Sequence, residues 1–184
     1  MRGQLCLIGA GLLLVSLSGC DKDAAASTPI ADPAPAVVEI PARAAGGACR
    51  LLDFAVVEQH TGTRFDVAAA SESAGSQSCV LRTEDEPQPA LMLAVTRTAV
   101  DASIYRTSVV PKGATTVSGL GKAAYRTVPK PAAGRGVGVE IGWLAAGGRM
   151  VCLRFTFPAG RDEAADGFAP KLLALAKQVD AQPA

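Results

Sequence analysis

Apolar positions are arranged in three different ways along this chain of 184 residues. Residues 5–18 form a nearly continuous apolar run, whereas residues 21–47 show neither a helical nor an alternating period. From about residue 48 onward, short segments with helical or strand periodicity follow one another. These patterns predict a leader segment, a linker and one folded domain.

Helical signals occur at three places in the predicted domain. Asp53 can cap a helix that ends before Gly62. A short helix is predicted from Asp101, with three residues on one face: Ile104, Tyr105 and Ser108. The last helix is predicted over residues 168–179, because Pro170 is tolerated in a first turn and apolar residues recur at helical spacing. These apolar residues are Phe168, Leu172, Leu175 and Val179.

Strand-like segments lie between the predicted helices. Residues 76–83 and 90–97 are predicted to be strands joined by the loop 85–89. Residues 115–128 contain strand-like pieces that are interrupted at Gly119 and Gly121. The order helix, two strands, helix, several strands, helix predicts an α+β fold, in which an antiparallel sheet carries the N-terminal and C-terminal helices.

The clearest local signal is a hairpin over residues 137–157 around Gly147-Gly148. A two-residue loop pairs Ala146 with Arg149 and places Trp143 opposite Cys152. One face then carries Leu144, Val151, Leu153, Phe155 and Phe157, and the other carries Ile141, Trp143, Met150, Cys152 and Arg154. Both faces are partly apolar, so two interpretations stay open. Helices and loops cover them, or Trp143 and Met150 line a groove for an apolar or sugar ligand.

The apolar run ends in Leu17-Ser18-Gly19-Cys20, which is typical of a bacterial lipoprotein signal. As a helix, residues 5–18 would rise only ~21 Å at ~1.5 Å per residue, against a hydrocarbon core of ~30 Å. We therefore interpret residues 1–19 as a removed signal peptide, after which Cys20 becomes the lipidated N-terminus. This predicts a protein that is lipid-anchored to a bacterial cell-envelope membrane, and Asp21 slightly favours the inner membrane.

Residues 20–47 are rich in alanine and proline. Such a segment buries too little apolar surface to offset its chain entropy, so we predict a disordered, lipidated tether with a root-mean-square span of ~30 Å. The alternative is an extended strand that docks on the domain. A single globular domain is predicted over residues 48–184.

The cysteine content fits an exported protein with one disulfide. Cys6 is removed with the signal peptide and Cys20 is lipidated, so Cys49, Cys79 and Cys152 remain. An oxidising envelope favours the pairing of two of them.

The formal net charge of +1 gives no general affinity for nucleic acid.

Two short motifs, Cys49-Arg50-Leu51-Leu52 and Val117-x-Gly119-Leu120-Gly121-x-x-Ala124-Tyr125, together with Gly62 and Cys79, resemble a family of small bacterial envelope lipoproteins. That family is known chiefly from actinobacteria as a domain of unknown function, and the resemblance spans roughly residues 49–179. It implies an envelope lipoprotein with a disulfide and without an established activity. We predict that a Cys49–Cys79 disulfide joins the first helix to the first strand and leaves Cys152 as a buried free thiol.

Candidate catalytic and cofactor motifs are weak. Residues 119–124 fit a loose dinucleotide-binding pattern, but a strand-like segment follows where that motif needs a helix, so a structural turn is preferred. A nucleophilic pair of Cys152 and the single histidine, His60, is conceivable. A helix C-terminus for His60 and burial for Cys152 explain these residues more simply. We therefore predict no catalytic residue, no cofactor and no metal site.

An uneven charge distribution is the remaining functional signal. Within residues 97–161, ten basic residues are opposed only by Asp101 and Glu140. Scattered surface pairs would explain this excess. The alternative is a basic face that contacts an anionic surface, formed around Lys112, Lys122, Arg126, Lys130 and Arg135.

The function predicted from these signals is that of a membrane-tethered, non-enzymatic binding module with an anionic envelope partner. Two alternatives stay open. One is an envelope hydrolase that acts on peptidoglycan or lipid, and the other is a carrier of a small apolar ligand.

Overall fold

The structure is a computed structural model that describes residues 40–132, 134–165 and 167–182, without the side chains of Asp162 and Glu163. The predicted signal peptide, Cys20 and most of the predicted tether lie outside the described residues. The described residues belong to one compact unit. Ala42 is only 1% exposed, so the packed part of the chain begins ahead of Ala48.

Within the described residues, seven antiparallel strands form one sheet. In chain order the strands are β1 (Val67–Ser73), β2 (Ser76–Arg82), β3 (Ala90–Arg97), β4 (Thr115–Val117), β5 (Ala123–Thr127), β6 (Gly138–Ala145) and β7 (Arg149–Thr156). Their spatial order across the sheet is β1-β2-β3-β7-β6-β5-β4. Prediction of β2, β3 and the glycine-interrupted pair β4–β5 is confirmed, whereas β1 was not predicted.

Helices cover one face of this sheet. They are α1 (Phe54–Thr61) and α3 (Ala169–Asp180), with two 3₁₀ turns, Ala42–Ala45 and Gly47–Leu51, ahead of α1. The Asp53 carboxylate accepts hydrogen bonds from the backbone N–H groups of Ala55 and Val56, and Gly62 ends the helix with φ of +73°. Helix α1 packs against α3, and α3 packs against β6. The predicted α+β fold, with an N-terminal and a C-terminal helix on an antiparallel sheet, is confirmed.

The main core lies between this helix layer and the sheet. Leu93, Leu153 and Ile141 lie side by side on β3, β7 and β6, and each is fully buried. Four phenylalanines form a second part of the core, with the ring centroids of Phe155 and Phe168 4.4 Å apart. The other two, Phe65 and Phe157, each contact the Phe155 ring.

A short helical segment covers part of the opposite face. Helix α2 (Ala102–Ile104) continues as one π-helical turn, Tyr105–Val109. The Asp101 carboxylate caps the start of this helix, which lies where a short helix was predicted. Of the three residues predicted to share a face, Tyr105 is buried, whereas Ile104 and Ser108 are exposed. Tyr105 packs in a small cluster with Ala123, Tyr125 and Leu144.

The β6–β7 hairpin differs from the predicted register by one residue. Its loop has three residues, 146–148, so Ala145 pairs with Arg149 and Trp143 pairs with Val151. Relative to β7, a shift of one residue moves each β6 side chain to the other face of the sheet. Trp143 is therefore fully buried on the helix-covered face, and Met150 lies on the opposite face. The predicted groove lined by Trp143 and Met150 is wrong, because the observed register gathers the large apolar side chains on one face.

A disulfide joins Cys49 to Cys79, which confirms the predicted pair. It links the second 3₁₀ turn to β2, rather than the first helix to the first strand, because α1 begins after Cys49 and β1 precedes β2. Cys152 is the free cysteine among the described residues and is largely buried. No helix in the described part of the chain is long and apolar enough to cross a membrane.

Candidate functional site

Glu140 is the only charged residue that is buried in the described part of the chain, with 5% of its surface exposed. It lies near the start of β6, between β5 and β7, and its side chain is on the face opposite α1 and α3. A carboxylate at such a position is costly unless hydrogen bonds replace its lost hydration.

Hydrogen bonds from Arg154 and Tyr125 satisfy the Glu140 carboxylate. Arg154, directly opposite on β7, donates from Nε at 2.7 Å and also from Nη2, both to Oε2. Tyr125 on β5 donates its hydroxyl to Oε1 at 2.9 Å. No buried side-chain nitrogen or oxygen among the described residues lacks a partner. The Tyr125–Glu140–Arg154 network therefore joins three adjacent strands through side chains.

The environment of Glu140 also keeps the Tyr125 hydroxyl and the Cys152 thiol protonated. Burial, reinforced by the Glu140 carboxylate, raises the pKa of Tyr125 well above its ordinary value of 10.0. Burial is also the main cause that raises the pKa of the Cys152 thiol to about 12, while the Arg154 guanidinium partly opposes the shift. At neutral pH, Cys152 is therefore a thiol and not the thiolate that a nucleophilic role requires.

The structure does not bring Cys152 and His60 together. His60 lies in the last turn of α1, on the helix-covered side of the sheet. Cys152 pairs with Gly142 across the hairpin and shares the opposite face with Arg154. The sheet itself separates the two side chains.

A cavity of about 90 Å³ lies beside Arg154 at the end of the sheet where β6 begins and β7 ends. We call it the basic cavity, because its lining includes the three cationic side chains of Lys130, Arg135 and Arg154. Its other lining residues include Gly136, Gly138 and Thr156.

Backbone hydrogen bonds hold the segment that contributes Lys130 and Arg135. The Gly138 N–H donates to the Pro129 carbonyl at 3.1 Å, and the Gly136 N–H donates to the Phe157 carbonyl at 3.1 Å. At Gly136 a side chain would clash with the Pro158 carbonyl oxygen, so this close approach requires glycine. The two cations therefore project from a segment tied to both β6 and β7.

The five basic residues of the predicted anionic contact are distributed over different parts of the fold. Lys130 and Arg135 meet at the basic cavity. Lys122 lies at the other end of the sheet, where its N–H donates to the Leu144 carbonyl. Arg126 pairs with Ile141 and shares its face, and Lys112 lies in the loop before β4.

Arg154 and Glu140 were missed as a pair by the sequence analysis. The predicted two-residue loop places Arg154 on a face with apolar residues and leaves Glu140 without a charged partner. The two residues lie at equal distances along the chain from Gly147, which is the centre of the three-residue loop. Opposite charges placed symmetrically about a loop are a signal for the correct register.

The glycine-rich motif at residues 119–124 leads into a strand and not into the helix that a dinucleotide-binding motif needs. Gly119 and Gly121 both have positive φ, +73° and +53°, and β5 begins two residues later. The predicted structural turn is thereby confirmed. Among the described residues, no group of three or more His, Cys, Asp or Glu side chains could hold a metal ion.

Comparisons with known proteins do not add to the predicted resemblance. The resemblance to actinobacterial envelope lipoproteins rests on short motifs alone and stays a prediction. No protein-family model matches the chain, and no curated protein or solved structure matches it either.

Proposed function

We propose that this protein is a membrane-tethered, non-enzymatic binding module of a bacterial cell envelope. Cys20 in the predicted lipoprotein signal would supply the anchor, and the domain would supply the binding surface. The observation that carries the proposal is the basic cavity. There the side chains of Lys130 and Arg135 are exposed, and neither forms an ion pair within the described part of the chain.

The ionisable groups next to this cavity favour binding over catalysis. Both carboxylate oxygens of Glu140 are occupied by hydrogen bonds from Arg154 and Tyr125. The Cys152 thiol is protonated at neutral pH, and His60 lies across the sheet. The Glu140 network joins three strands, whereas the side chains of Lys130 and Arg135 form no ion pair within the described residues.

The basic cavity lies at the end of the sheet where the chain enters the domain. Pro41 and Arg64 line one common cavity, and Arg64 precedes β1 by three residues. Strand pairing places five residues in one row at this end of the sheet: Val67, Arg82, Ala90, Thr156 and Gly138. About 20 residues separate Cys20 from Ile40, and the predicted tether would span ~25 Å over that length. A tether of that length keeps the cavity within reach of envelope components close to the membrane.

An acidic loop lies at the same end of the sheet. Glu84, Asp85 and Glu86 are exposed between β2 and β3. Their negative charges oppose broad adhesion of this end to an anionic membrane. Recognition would therefore be local to the basic cavity rather than spread over a charged face.

The anchor is tested by membrane fractionation of the wild type and a Cys20→Ala variant in a bacterial host. We expect the wild type to incorporate palmitate and to sediment with membranes, and the variant to lose both properties. Unchanged palmitate labelling and membrane partition of the variant would refute the tether.

The binding surface is tested in intact cells with a photo-crosslinking amino acid at Ala132 or, as a control, at Ala146. Both positions are exposed alanines, one at the basic cavity and one in the β6–β7 loop at the other end of the sheet. We expect defined envelope adducts from position 132 only. The same adducts from both positions, or none from either, would contradict a binding surface at this end.

A further inference from the structure

We propose that the basic cavity binds a single phosphate group. This inference rests on the binding role proposed above and adds the chemical class of the ligand. Its support comes from the charge of the cavity, its volume and the orientation of Arg154.

The charge of the cavity matches a phosphate group. Arg154 shares its charge with Glu140, so the pair is close to neutral. Lys130 and Arg135 add two positive charges that no carboxylate among the described residues balances. A phosphate monoester carries about −1.5 to −2 at neutral pH, whereas a carboxylate would leave one of the two cations unpaired.

The volume of the cavity restricts the ligand to a small group. At about 90 Å³ it is far below the ~300–1,000 Å³ of sites that enclose whole small molecules. A sugar ring or an acyl chain would remain outside, but a tetrahedral oxyanion can enter. The ligand would therefore present its phosphate to the cavity and keep the rest of its structure in solvent.

Arg154 is a donor whose position is already fixed. Glu140 engages two N–H groups of its guanidinium, on Nε and Nη2. A guanidinium has five N–H donors, so three remain for a ligand. The side chain is 38% exposed, which leaves those donors accessible. Because its rotamer is held by Glu140, binding would cost little side-chain entropy.

The test uses the unlipidated chain from Asp21 onward, which retains every helix and strand of the described fold and the Cys49–Cys79 disulfide. Inorganic phosphate is titrated at neutral pH and constant ionic strength, and the amide NMR signals of Gly134, Gly136 and Gly138 are followed. We expect saturable shifts of these signals. A linear response without saturation in the wild type would overturn a phosphate site.

A matched pair of double variants separates the cavity from general electrostatics. K130A/R135A removes two charges at the cavity, and K112A/K122A removes two charges outside it. We expect the cavity variant to bind phosphate at least about tenfold more weakly, which corresponds to about 1.4 kcal/mol. The control variant should bind like the wild type. Equal weakening in both variants would contradict the proposal.

Vesicles identify the source of the phosphate. Vesicles that contain phosphatidic acid, whose headgroup is a phosphate monoester, and neutral phosphatidylcholine vesicles are sedimented with the same proteins. Binding to the anionic vesicles that only K130A/R135A loses would support the cavity and assign the phosphate to a lipid headgroup. Saturable phosphate shifts without vesicle binding would support the cavity with a free or polymer-borne phosphate.

The two proposals fail separately. Without saturable phosphate shifts, vesicle binding that both double variants lose equally would overturn the phosphate site and leave the tethered binding module standing. Conversely, Cys20→Ala could behave like the wild type in cells while the cavity still binds phosphate. That result would overturn the membrane tether alone.

Discussion

The ring of Tyr125 lies against the α-carbon of Gly142, its direct partner on the neighbouring strand. A Cβ on Gly142 would clash with several atoms of that ring. The missing side chain is what allows the Tyr125 hydroxyl to reach Glu140 across the strand. This glycine therefore supports the buried network and not a turn.

We expect Gly142→Ala to destabilise the domain by ~1–3 kcal/mol, because the added methyl group overpacks a ring that the Glu140 hydrogen bond holds in place. The free energy of unfolding can be followed in urea by the fluorescence of Trp143, the single and fully buried tryptophan. Gly167→Ala is the matched control, since a Cβ there meets nothing within 4 Å. Equal stability of the two variants would show that the ring can move away.

The two partners of the ion pair should respond unequally to substitution. Arg154→Met leaves without its cation a glutamate whose side chain is 6% exposed, whereas Glu140→Gln leaves an arginine whose side chain is 38% exposed. Breaking a buried pair costs ~3–5 kcal/mol when the remaining charge is uncompensated. We expect Arg154→Met to approach the lower limit of that range and Glu140→Gln to cost about 1 kcal/mol.

The double variant Glu140→Gln/Arg154→Met completes the cycle for this pair. Its loss of stability should be smaller than the sum of the two single losses, because no charge is then left without a partner. Urea unfolding of all four proteins measures the coupling. Additive losses, or a larger loss for Glu140→Gln than for Arg154→Met, would contradict the structural role of the network.

The hairpin shows how far local sequence patterns lead and where they fail. Gly147-Gly148 correctly predicts the turn, but a glycine pair is compatible with loops of two or three residues. The choice between the two loop lengths depends on which register brings the large apolar side chains of both strands to the same face. The three-residue loop puts Trp143 on the same face as Val151 and pairs Glu140 with Arg154. The Glu140–Arg154 pair could therefore have been predicted by comparing registers.

Strand β1 could not have been predicted from local preference. Its sequence is dominated by alanine and serine, which have no strong preference for strands. The segment becomes a strand because it pairs with β2 through a two-residue turn at Ala74 and Gly75. The basic cavity could not have been predicted from local sequence either, since Lys130, Arg135 and Arg154 meet only once β6 and β7 have paired.

The Cys49–Cys79 disulfide should supply a large share of the stability. It closes a loop of sequence separation 30, which in the chain-entropy model stabilises by about 3–4 kcal/mol. We expect Cys49→Ala/Cys79→Ala to lose about that much free energy of unfolding. Addition of a reductant should lower the stability of the wild type similarly. Cys152→Ala keeps the disulfide and should remain as sensitive to the reductant as the wild type.

Cys152 should react slowly with alkylating reagents in the folded protein. Burial, with the Glu140 carboxylate, raises the pKa of its thiol from 9.0 to about 12. Each pKa unit is a factor of ten in thiolate, so near pH 8 the folded protein should react about a thousandfold more slowly than the unfolded chain. In the oxidised chain from Asp21 onward, Cys152 is the only free thiol, so mass spectrometry of iodoacetamide adducts measures it directly. Equal rates with and without urea would contradict the burial.

The same shift in pKa makes stability depend on pH in a defined direction. The folded state holds the Cys152 proton up to about pH 12, whereas the unfolded chain releases it near pH 9.0. Its contribution is therefore fully present below pH 9 and is lost as the pH rises toward 12. Between pH 7.5 and 9.5 the wild type should lose about 1 kcal/mol relative to Cys152→Ala. Tyr105 and Tyr125, whose pKa values are raised above 10.0, are present in both proteins, so their contributions largely cancel in this difference. Parallel pH profiles for the two proteins would show that the thiol ionises alike in both states.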